Sequence, residues 1–300
     1  MPLTGANAAL GRSMARAATM ATDKDARGLM ILDTGGDAPA AARAALKRGA
    51  RLILGPLASA DVAGVVAAAG GVPVLTFSND LALRESGAFL LGITADQAVL
   101  PLLHYARSRG VRRVALGTGT GAWGLQVAAA AKIAADREGL ELLTAPAARL
   151  DAFLRSPAAP DALLVSGDIA VAGRAAQGTG VQLLGAFAGL DPDPGLLASI
   201  EGAWLSAPDP AGFATFADGF EQANGIAPGI IAGLAFDAAG IAATLRKAGS
   251  TDRSALLSGR TFDGVCGAVR FRADGSAARA MAILAVTKGR YLLAQPGTIG

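Results

Sequence analysis

Apolar runs of strand length alternate with longer helical patterns along most of the chain. The runs that predict β-strands are residues 28–33, 51–54, 72–77, 89–92, 112–117, 140–145, 161–166, 181–185 and 203–206. Between them, apolar positions at helical spacing predict helices over residues 7–22, 38–48, 60–69, 96–109 and 121–137. Because the strands are nearly continuous apolar runs, we predict an α/β fold with parallel sheets covered by helices on both faces.

Signals at the ends of these elements agree with the pattern. Asp37 can cap the second helix, with Pro39 in its first turn. Gly49, Gly70 and Gly110 stand where a helix should end in a left-handed residue before the next strand. The succession of helix, glycine and strand occurs twice in similar form, which favours two lobes of like topology.

The C-terminal quarter changes character. A long helix is predicted over residues 228–248 and a shorter one over 252–258. Extended segments follow at residues 268–271, 279–287 and 290–293, separated by turn signals at 273–275 and 288–289. This part of the chain should therefore be antiparallel.

Composition narrows the class of protein. With 300 residues, of which 52% are hydrophobic and 17% charged, the chain can build two domains. No run reaches the roughly 18–20 apolar residues of a membrane helix, and the longest candidate, 229–243, is interpreted as a core helix. The net charge is only +3, the arginines are dispersed and aromatics make up 5%, which argues against a nucleic-acid partner.

Catalytic and metal-binding motifs are few. The single cysteine, Cys266, excludes an internal disulfide and is interpreted as a small buried residue, and the single histidine, His104, excludes paired-histidine metal motifs. No cofactor is predicted. There is no Gly-x-Ser-x-Gly motif, and His104 sits mid-helix, where a structural role is favoured over catalysis. Residues 119–124 fit Gly-x-Gly-x-x-Gly, but the next strand ends without the acid that binds a ribose, so a glycine-rich turn is favoured over a nucleotide site.

Polar residues follow the carboxyl ends of several predicted strands, the edge at which open α/β sheets bind ligands. The candidate ligand-binding residues at these positions are Ser59, Phe77, Ser78, Asn79, Asp80, Trp123 and Asp168. Hydroxyls and helix-start amides suit an anion such as a carboxylate, and Trp123 offers a flat apolar face with one donor. Ser59 and Asp80 are also good helix N-caps, so ligand contact and capping are equal alternatives for each residue taken alone.

Several runs, taken in order, resemble the type I periplasmic solute-binding proteins, the leucine/isoleucine/valine-binding group. The opening PLTGANAALG (2–11) is similar to the family's first strand-to-helix turn, ILGPLAS (53–59) to its third and VPVLTFSND (72–80) to its fourth. LAFDA (234–238) resembles part of its long helix, and residues 262–275 resemble its closing segment. The resemblance covers the whole chain.

The resemblance implies a two-lobed fold in which each lobe is a parallel sheet flanked by helices. Lobe 1 would comprise residues 1–93 plus 209–280, and lobe 2 residues 94–208 plus 281–300. Three hinge crossings would lie near residues 92–94, 207–210 and 280–282. Such a protein would close on its ligand by a hinge motion of the lobes.

The resemblance also implies a ligand site. Ser59, Ser78 and Asp80 stand where amino-acid binders of the family hold the ligand carboxylate, and Asn7 lies in the matching first turn. Those binders hold the ammonium with a glutamate after the strand matching 181–185, but residues 185–189 here read GAFAG. An unpaired buried ammonium is costly, so the standard amino-acid ligand is in doubt, and Asp168 is the candidate substitute.

The family's first strand is central and precedes the turn at residues 2–5, whereas nearly all of it is missing here. A central strand cannot be omitted cheaply, because its neighbours would lose their hydrogen-bond partner. We therefore expect Met1 to be internal to a longer chain that carries a signal peptide or lipoprotein leader and is exported to the periplasm.

Three functions stay open. The first is a non-enzymatic receptor of the branched-chain amino acid ABC-transporter family, which passes a small carboxylate or amino-acid-like ligand to a membrane permease. The second follows from residues 76–80 and 270–275, which resemble the penicillin-binding-protein activators, envelope lipoproteins of the same fold that regulate peptidoglycan synthases through protein contacts. An enzyme is the least favoured.

Overall fold

The structure, a computed structural model, describes residues 1–22, 28–186 and 193–299. In chain order its elements are α1 (Ala8–Ala21), α2 (Ala38–Lys47), β1 (Ile53–Leu54), α3 (Val62–Ala69), β2 (Val74–Thr76), β3 (Phe89–Leu90), α4 (Ala95–Ser108), β4 (Arg113–Gly117), α5 (Ala122–Glu138), β5 (Glu141–Thr144), α6 (Leu150–Leu154), β6 (Ala162–Val165), α7 (Ile169–Ala176), β7 (Gln182–Gly185), α8 (Pro194–Ser199), β8 (Trp204–Ala207), α9 (Pro210–Asn224), α10 (Ile230–Lys247), α11 (Arg253–Leu256), β9 (Val269–Phe271), β10 (Ala277–Arg279), β11 (Ala282–Thr287) and β12 (Arg290–Gln295). Short 3-10 turns cover Ser59–Asp61, Leu81–Leu83 and Ala147–Arg149.

The chain is organised in two compact units. Unit 1 comprises residues 1–94 and 211–280 with the extreme C-terminus, and unit 2 comprises residues 95–210 and 281–298. None of the described helices is both long and apolar enough to cross a membrane.

Unit 1 contains a three-stranded parallel sheet in the order β1-β2-β3. Small residues dominate its helices, so these approach closely: α1 packs against α10, and α2 against α3. The apolar faces of α2 and α3 enclose a core with Val62, Val65 and Val74. A second, two-stranded antiparallel sheet is formed by β9 and β10.

Unit 2 contains a seven-stranded sheet in the order β12-β11-β8-β7-β6-β4-β5. The strands from β8 to β5 are parallel, while β11 runs antiparallel to both β8 and β12. One core cluster joins the sheet to α4 and α5, and a second joins it to α6, α7 and α8. The sheet is therefore covered on both faces, as its apolar strands predict.

Most predicted elements are confirmed, with ends displaced by at most two residues. Asp37 caps α2 by accepting a hydrogen bond from Ala40 N at 2.8 Å. Gly49, Gly70 and Gly110 all have positive φ angles, as predicted. The turn at 288–289 joins β11 to β12, and both of its residues have positive φ, the geometry of a tight hairpin.

Two predicted strands are wrong as stated. Residues 28–33 form no strand. This segment and the adjoining Thr34 share main-chain hydrogen bonds with a single extended residue, Met1: Met1 N donates to Leu32 O, and Thr34 N donates to Met1 O. The extended segment predicted at 279–287 is two strands: β10 ends at Arg279 in unit 1, and β11 begins at Ala282 in unit 2.

Candidate functional site

The loop after β1 is bonded to the end of β2 in unit 1. Thr76, the last residue of β2, is fully buried, and its Oγ1 donates to Pro56 O at 2.9 Å. Phe77 N donates to the same carbonyl oxygen at 3.0 Å. Two chain segments that leave the sheet at its carboxyl edge are thus fixed against each other, Pro56 following a cis peptide bond.

A pair of serine hydroxyls lies at this edge. Ser59 begins the 3-10 turn that leads into α3, and its Oγ lies 2.7 Å from Ser78 Oγ. Ser78 is 3% exposed and Ser59 is half-buried. Asp80 N donates to Ser78 Oγ at 3.1 Å, and Ser78 N donates to Thr76 Oγ1 at 3.2 Å. The structure therefore brings together three predicted site residues, Ser59, Ser78 and Asp80.

This arrangement leaves one hydroxyl hydrogen over. The two serines carry two hydroxyl hydrogens, and the contact between them uses one. Ser78 Oγ already accepts from Asp80 N, and Ser78 is buried, so the more accessible donor is the hydroxyl of Ser59. A carboxylate, which only accepts hydrogen bonds, is a chemically suitable partner for it.

Close packing holds Ser78 in place. A Cβ added to Gly92 would lie 2.3 Å from Ser78 O and 2.5 Å from Phe77 O, so only glycine allows this approach. Phe77 itself is 3% exposed and belongs to the packing, whereas Asn79 is half-buried. Asp80 Oδ1 accepts from Ala82 N at 3.0 Å, so this carboxylate also serves as a cap.

Asn7 stands apart from these residues in its bonding. It occupies the N-cap position of α1, is exposed and makes no capping bond with its side chain. Among the described residues, no hydrogen bond joins Asn7 to Ser59 or Ser78.

The predicted residues of unit 2 lie at the start of two helices. Trp123 is in the first turn of α5, half-buried against the core between the sheet and α4 and α5. Asp168 is the exposed N-cap of α7, and its Oδ1 accepts from Val171 N at 3.0 Å. Gly119 N donates to Ser166 Oγ at 3.3 Å, which links the two strand-end loops. Residues 187–189, part of the GAFAG run that has no acid where the family's glutamate would stand, lie outside the described residues.

The Gly-x-Gly-x-x-Gly run has a packing explanation. A Cβ on Gly124 would lie 1.9 Å from Gly119 O, so the third glycine lets α5 begin directly against the preceding loop. His104 is exposed, with Nδ1 3.0 Å from Glu138 Oε1, so it lies on the surface of α4 and not in the core.

A buried charged cluster in unit 1 was not predicted. Asp237 is 4% exposed, and its carboxylate accepts from Val265 N at 2.7 Å and Cys266 N at 3.0 Å. Burial raises the pKa of Asp237 to about 6, opposed by the nearby Arg279 guanidinium and the two main-chain donors. The only sequence signal was an aspartate within an apolar helix.

Arg279 completes this cluster and is 6% exposed. It donates to Cys266 O at 2.8 Å and also to Leu91 O, and burial lowers its pKa. The cluster holds four parts of unit 1 together: α10, strand β10, the loop that precedes β9 and the residue that follows β3. Its role is therefore structural. Among the described residues, no three His, Cys, Asp or Glu side chains gather as a metal site would require.

Comparison with known proteins identifies one protein family that the chain matches. The sequence profile of a family described as "Periplasmic binding protein" matches residues 1–290. No curated protein matches the chain.

Solved structures resemble the chain at low sequence identity. A proposed branched-chain amino acid ABC transporter protein from Rhodospirillum rubrum is 22% identical, covers 97% of both chains and has a TM-score of 0.83. An ABC-transporter solute-binding protein from Rhodopseudomonas palustris, in complex with 3,4-dihydroxybenzoic acid, is 16% identical over 100% of this chain and 96% of its own, with a TM-score of 0.72. The C-domain of LpoA from Haemophilus influenzae, a regulator of PBP1A, is 14% identical over 99% and 98%, with a TM-score of 0.76. At these identities the likeness establishes a shared fold.

Proposed function

The chain belongs to the periplasmic binding protein family, with its two-lobed type I fold, and from this premise we propose that it is a non-enzymatic receptor for a small carboxylate. The ligand would be an amino acid of the leucine, isoleucine and valine class or a similar small acid, carried in the periplasm to a membrane permease of the ABC type. Both the family match and the likeness to the Rhodospirillum rubrum protein support this proposal.

The observation that carries the proposal is the hydroxyl pair of Ser59 and Ser78. Its leftover hydrogen suits an oxygen that only accepts hydrogen bonds, at the edge where α/β sheets bind ligands. Trp123 at the carboxyl edge of the unit 2 sheet is the proposed apolar contact, and Asp168 is the proposed partner for an ammonium group. Since residues 185–189 carry no acid to pair with an ammonium group, acids without an ammonium group also belong in the ligand class.

A second candidate is a regulator of peptidoglycan synthesis that acts through protein contacts. Its support is the likeness to the LpoA C-domain over 98% of that chain. Residues 270–275, which carry the resemblance to the penicillin-binding-protein activators, have a structural role here: Asp274 O and Gly275 O accept from Glu85 N and Leu90 N at 2.8 Å. The receptor is therefore the favoured proposal.

A thermal-shift screen tests the receptor directly. The panel comprises the twenty amino acids, benzoate, 3,4-dihydroxybenzoate and aliphatic carboxylates. A ligand present at about 100 times its dissociation constant stabilises the folded state by about 2.7 kcal/mol, which for a chain of this size is a rise of several degrees. Isothermal titration then gives the dissociation constant of each hit.

Ser59→Ala distinguishes a ligand at this edge from one elsewhere. A hydrogen bond to a charged group contributes about 1.5–3 kcal/mol, so the dissociation constant should rise roughly 10- to 100-fold. Ser156→Ala is the matched control, since Ser156 is also half-buried but lies in unit 2, where its hydroxyl donates to Phe153 O and accepts from Ala158 N. A flat screen from folded protein would shift the proposal to the peptidoglycan regulator, whose test is capture of purified peptidoglycan synthases.

A further inference from the structure

One edge of the seven-stranded sheet in unit 2 is open. β5 is the last strand on that side, and β4 is its one neighbour in the described sheet. Glu141 N donates to Arg112 O at 2.8 Å, in the direction of β4. Because main-chain groups alternate in direction along a strand, the N–H and C=O groups of Leu142 and Thr144 face away from β4. The open edge therefore presents the donors and acceptors of two residues.

The two edges of this sheet differ. The strand at the other edge, β12, pairs with β11 through a register shift between Ile283 and Leu284. Such irregularities are among the devices that keep an edge strand from pairing with another chain. β5 pairs with β4 in unbroken register, and its residues Glu141–Thr144 include neither lysine nor proline. β5 is therefore the edge that is suited to accept a further strand.

A groove of about 330 Å³ runs beside β5. It lies between α5 and the edge of the sheet, and its lining includes Ala128, Lys132, Asp136 and Leu142. Lys132 and Asp136 are exposed and stand one helical turn apart. Within the described part of the chain, neither of these two residues takes part in an ion pair. One positive and one negative charge without a partner thus lie beside an unpaired strand.

We propose that this face is the interface of a homodimer, in which β5 pairs antiparallel with β5 of a second copy about a two-fold axis through Leu143. The proposal does not rest on the function proposed above. Leu142 of one copy would lie opposite Thr144 of the other, and the two residues would exchange both of their main-chain hydrogen bonds. The axis repeats this exchange, so the two sheets would become one continuous sheet.

The same axis brings the charges of α5 into register. α5 runs antiparallel to β5, because it connects the parallel strands β4 and β5. Leu143 lies roughly 7 Å along the strand from Glu141, which corresponds to about four residues of helix before the end of α5. The axis therefore passes midway between Lys132 and Asp136. In two antiparallel helices, Lys132 of each copy would then lie opposite Asp136 of the other.

This charge pattern favours a second copy of the chain as the partner. The face is complementary to itself under a two-fold axis, as an isologous interface requires. A partner surface of a single sign would attract one of the two charges of α5 and repel the other.

Sedimentation velocity over a range of micromolar concentrations measures association of the purified protein. We expect a reversible dimer with twice the mass of the chain. Lys132→Asp and Asp136→Lys each place like charges opposite one another twice per dimer, so each should raise the dimer dissociation constant roughly tenfold or more. The double variant Lys132→Asp/Asp136→Lys exchanges the two signs and should restore association to near the wild-type constant. Asp218→Lys, an equal change of charge on an exposed residue of unit 1, is the matched control and should leave association unchanged.

Pairing of the strands is tested at Thr144, which is exposed at the open edge. Thr144→Pro removes an N–H that faces away from β4, so it should abolish the dimer and keep the fold of the monomer. Thr144→Ala keeps this N–H and should still form the dimer. Hydrogen exchange at high protein concentration should slow at the Leu142 and Thr144 amides and stay unchanged at Leu143, which bonds to β4.

A chain that stays monomeric at the highest concentration would overturn the proposal. So would a dimer that withstands both Thr144→Pro and the single charge reversals, because another face would then hold it. Growth beyond the dimer would also overturn it, since a two-fold interface closes on itself. The charge variants decide the question if Thr144→Pro fails to fold: restored association in the double variant would support the proposal, and a folded double variant that stays monomeric would contradict it.

Discussion

The hydroxyl oxygens of Ser59 and Ser78 lie 2.7 Å apart, although the two residues are 19 positions apart in the chain. Ser59 belongs to the turn that follows β1, and Ser78 to the segment that follows β2, so parallel pairing of the two strands brings them to one edge. The two residues differ in burial, which separates the role proposed for each: the buried Ser78 would support the site, and the half-buried Ser59 would donate to the ligand.

Ser78→Ala should destabilise unit 1 more than Ser59→Ala does. Removal of the Ser78 hydroxyl leaves Asp80 N without its acceptor and Ser59 without its partner, a loss of about 1–3 kcal/mol in the free energy of unfolding. Ser59 is half-buried and water can replace its bond, so its loss should cost about 0.5–1.5 kcal/mol. Urea unfolding measures both values, and an equal cost would contradict this division of roles.

Gly92→Ala should be strongly destabilising for a single methyl group. The added Cβ would meet the backbone oxygens of Phe77 and Ser78, and backbone cannot move aside as a flexible side chain does. We expect a loss of about 1–3 kcal/mol and a weakened ligand site, since the shift reaches Ser78 directly. Gly240→Ala in α10 is the matched control: nothing lies within 4 Å of its added Cβ, and it should stabilise by about 0.5–1 kcal/mol. Similar unfolding midpoints for the two variants would refute the packing argument.

The sequence predicted what local chemistry determines. The start of α2 followed from Asp37 and Pro39, and the hairpin at 288–289 from its lysine–glycine pair, because neighbouring residues alone satisfy these backbone groups. The position of Ser59 and Ser78 at strand ends also predicted that they would share an edge. That the hydroxyls touch depends on the loop through Pro56, which is bonded to the distant Thr76.

Features that depend on distant partners could not be predicted. Residues 28–33 have the apolar pattern of a strand, but a strand also needs a neighbour to bond with, and no local pattern supplies one. Arg279 looked like one of many dispersed arginines, whereas the structure buries it against Leu91 O, 188 positions away. Asp237, the acid of the same cluster, accepts from Val265 N, 28 positions away in the loop before β9. The sequence around Asp237 does not predict that this loop packs against α10.

The stability of unit 1 should fall between about pH 4 and pH 6 because of Asp237. Its pKa is about 6 in the folded chain and 3.8 when unfolded, so the folded state holds the proton more tightly in this window. Stability that depends on the protonated carboxyl is present below the window and is lost as the pH rises through it, in total about 3 kcal/mol. Asparagine does not titrate, so Asp237→Asn should lack this loss. The unfolding free energy of the wild type minus that of Asp237→Asn should therefore decrease by about 3 kcal/mol from about pH 4 to about pH 7.

Asp252→Asn is the matched control for this pH dependence. Asp252 is exposed, and bonds from Ser254, Ala255 and Ser250 lower its pKa. Its contribution therefore has the opposite sign: it is present at neutral pH and lost as the pH falls. A wild-type minus Asp237→Asn difference that stays constant across the range would show that the pKa of Asp237 is not raised.

Cys266 should react with a thiol reagent only when the folded structure opens around it. Its side chain is fully buried, and burial, together with the nearby Asp237 carboxylate, raises its pKa far above the usual range, so little reactive thiolate forms. As the only cysteine of the chain, it gives one signal per molecule. Labelling with Ellman's reagent at mildly alkaline pH should be at least roughly 100-fold slower in the native protein than in denaturant, and should follow the unfolded fraction as urea increases. Arg279→Lys should label faster, since lysine has one nitrogen in place of the two with which Arg279 reaches Cys266 O and Leu91 O, whereas the exposed Arg272→Lys should label like the wild type. Rapid labelling of the native wild type would mean that the Asp237–Arg279 cluster does not close the structure around this thiol.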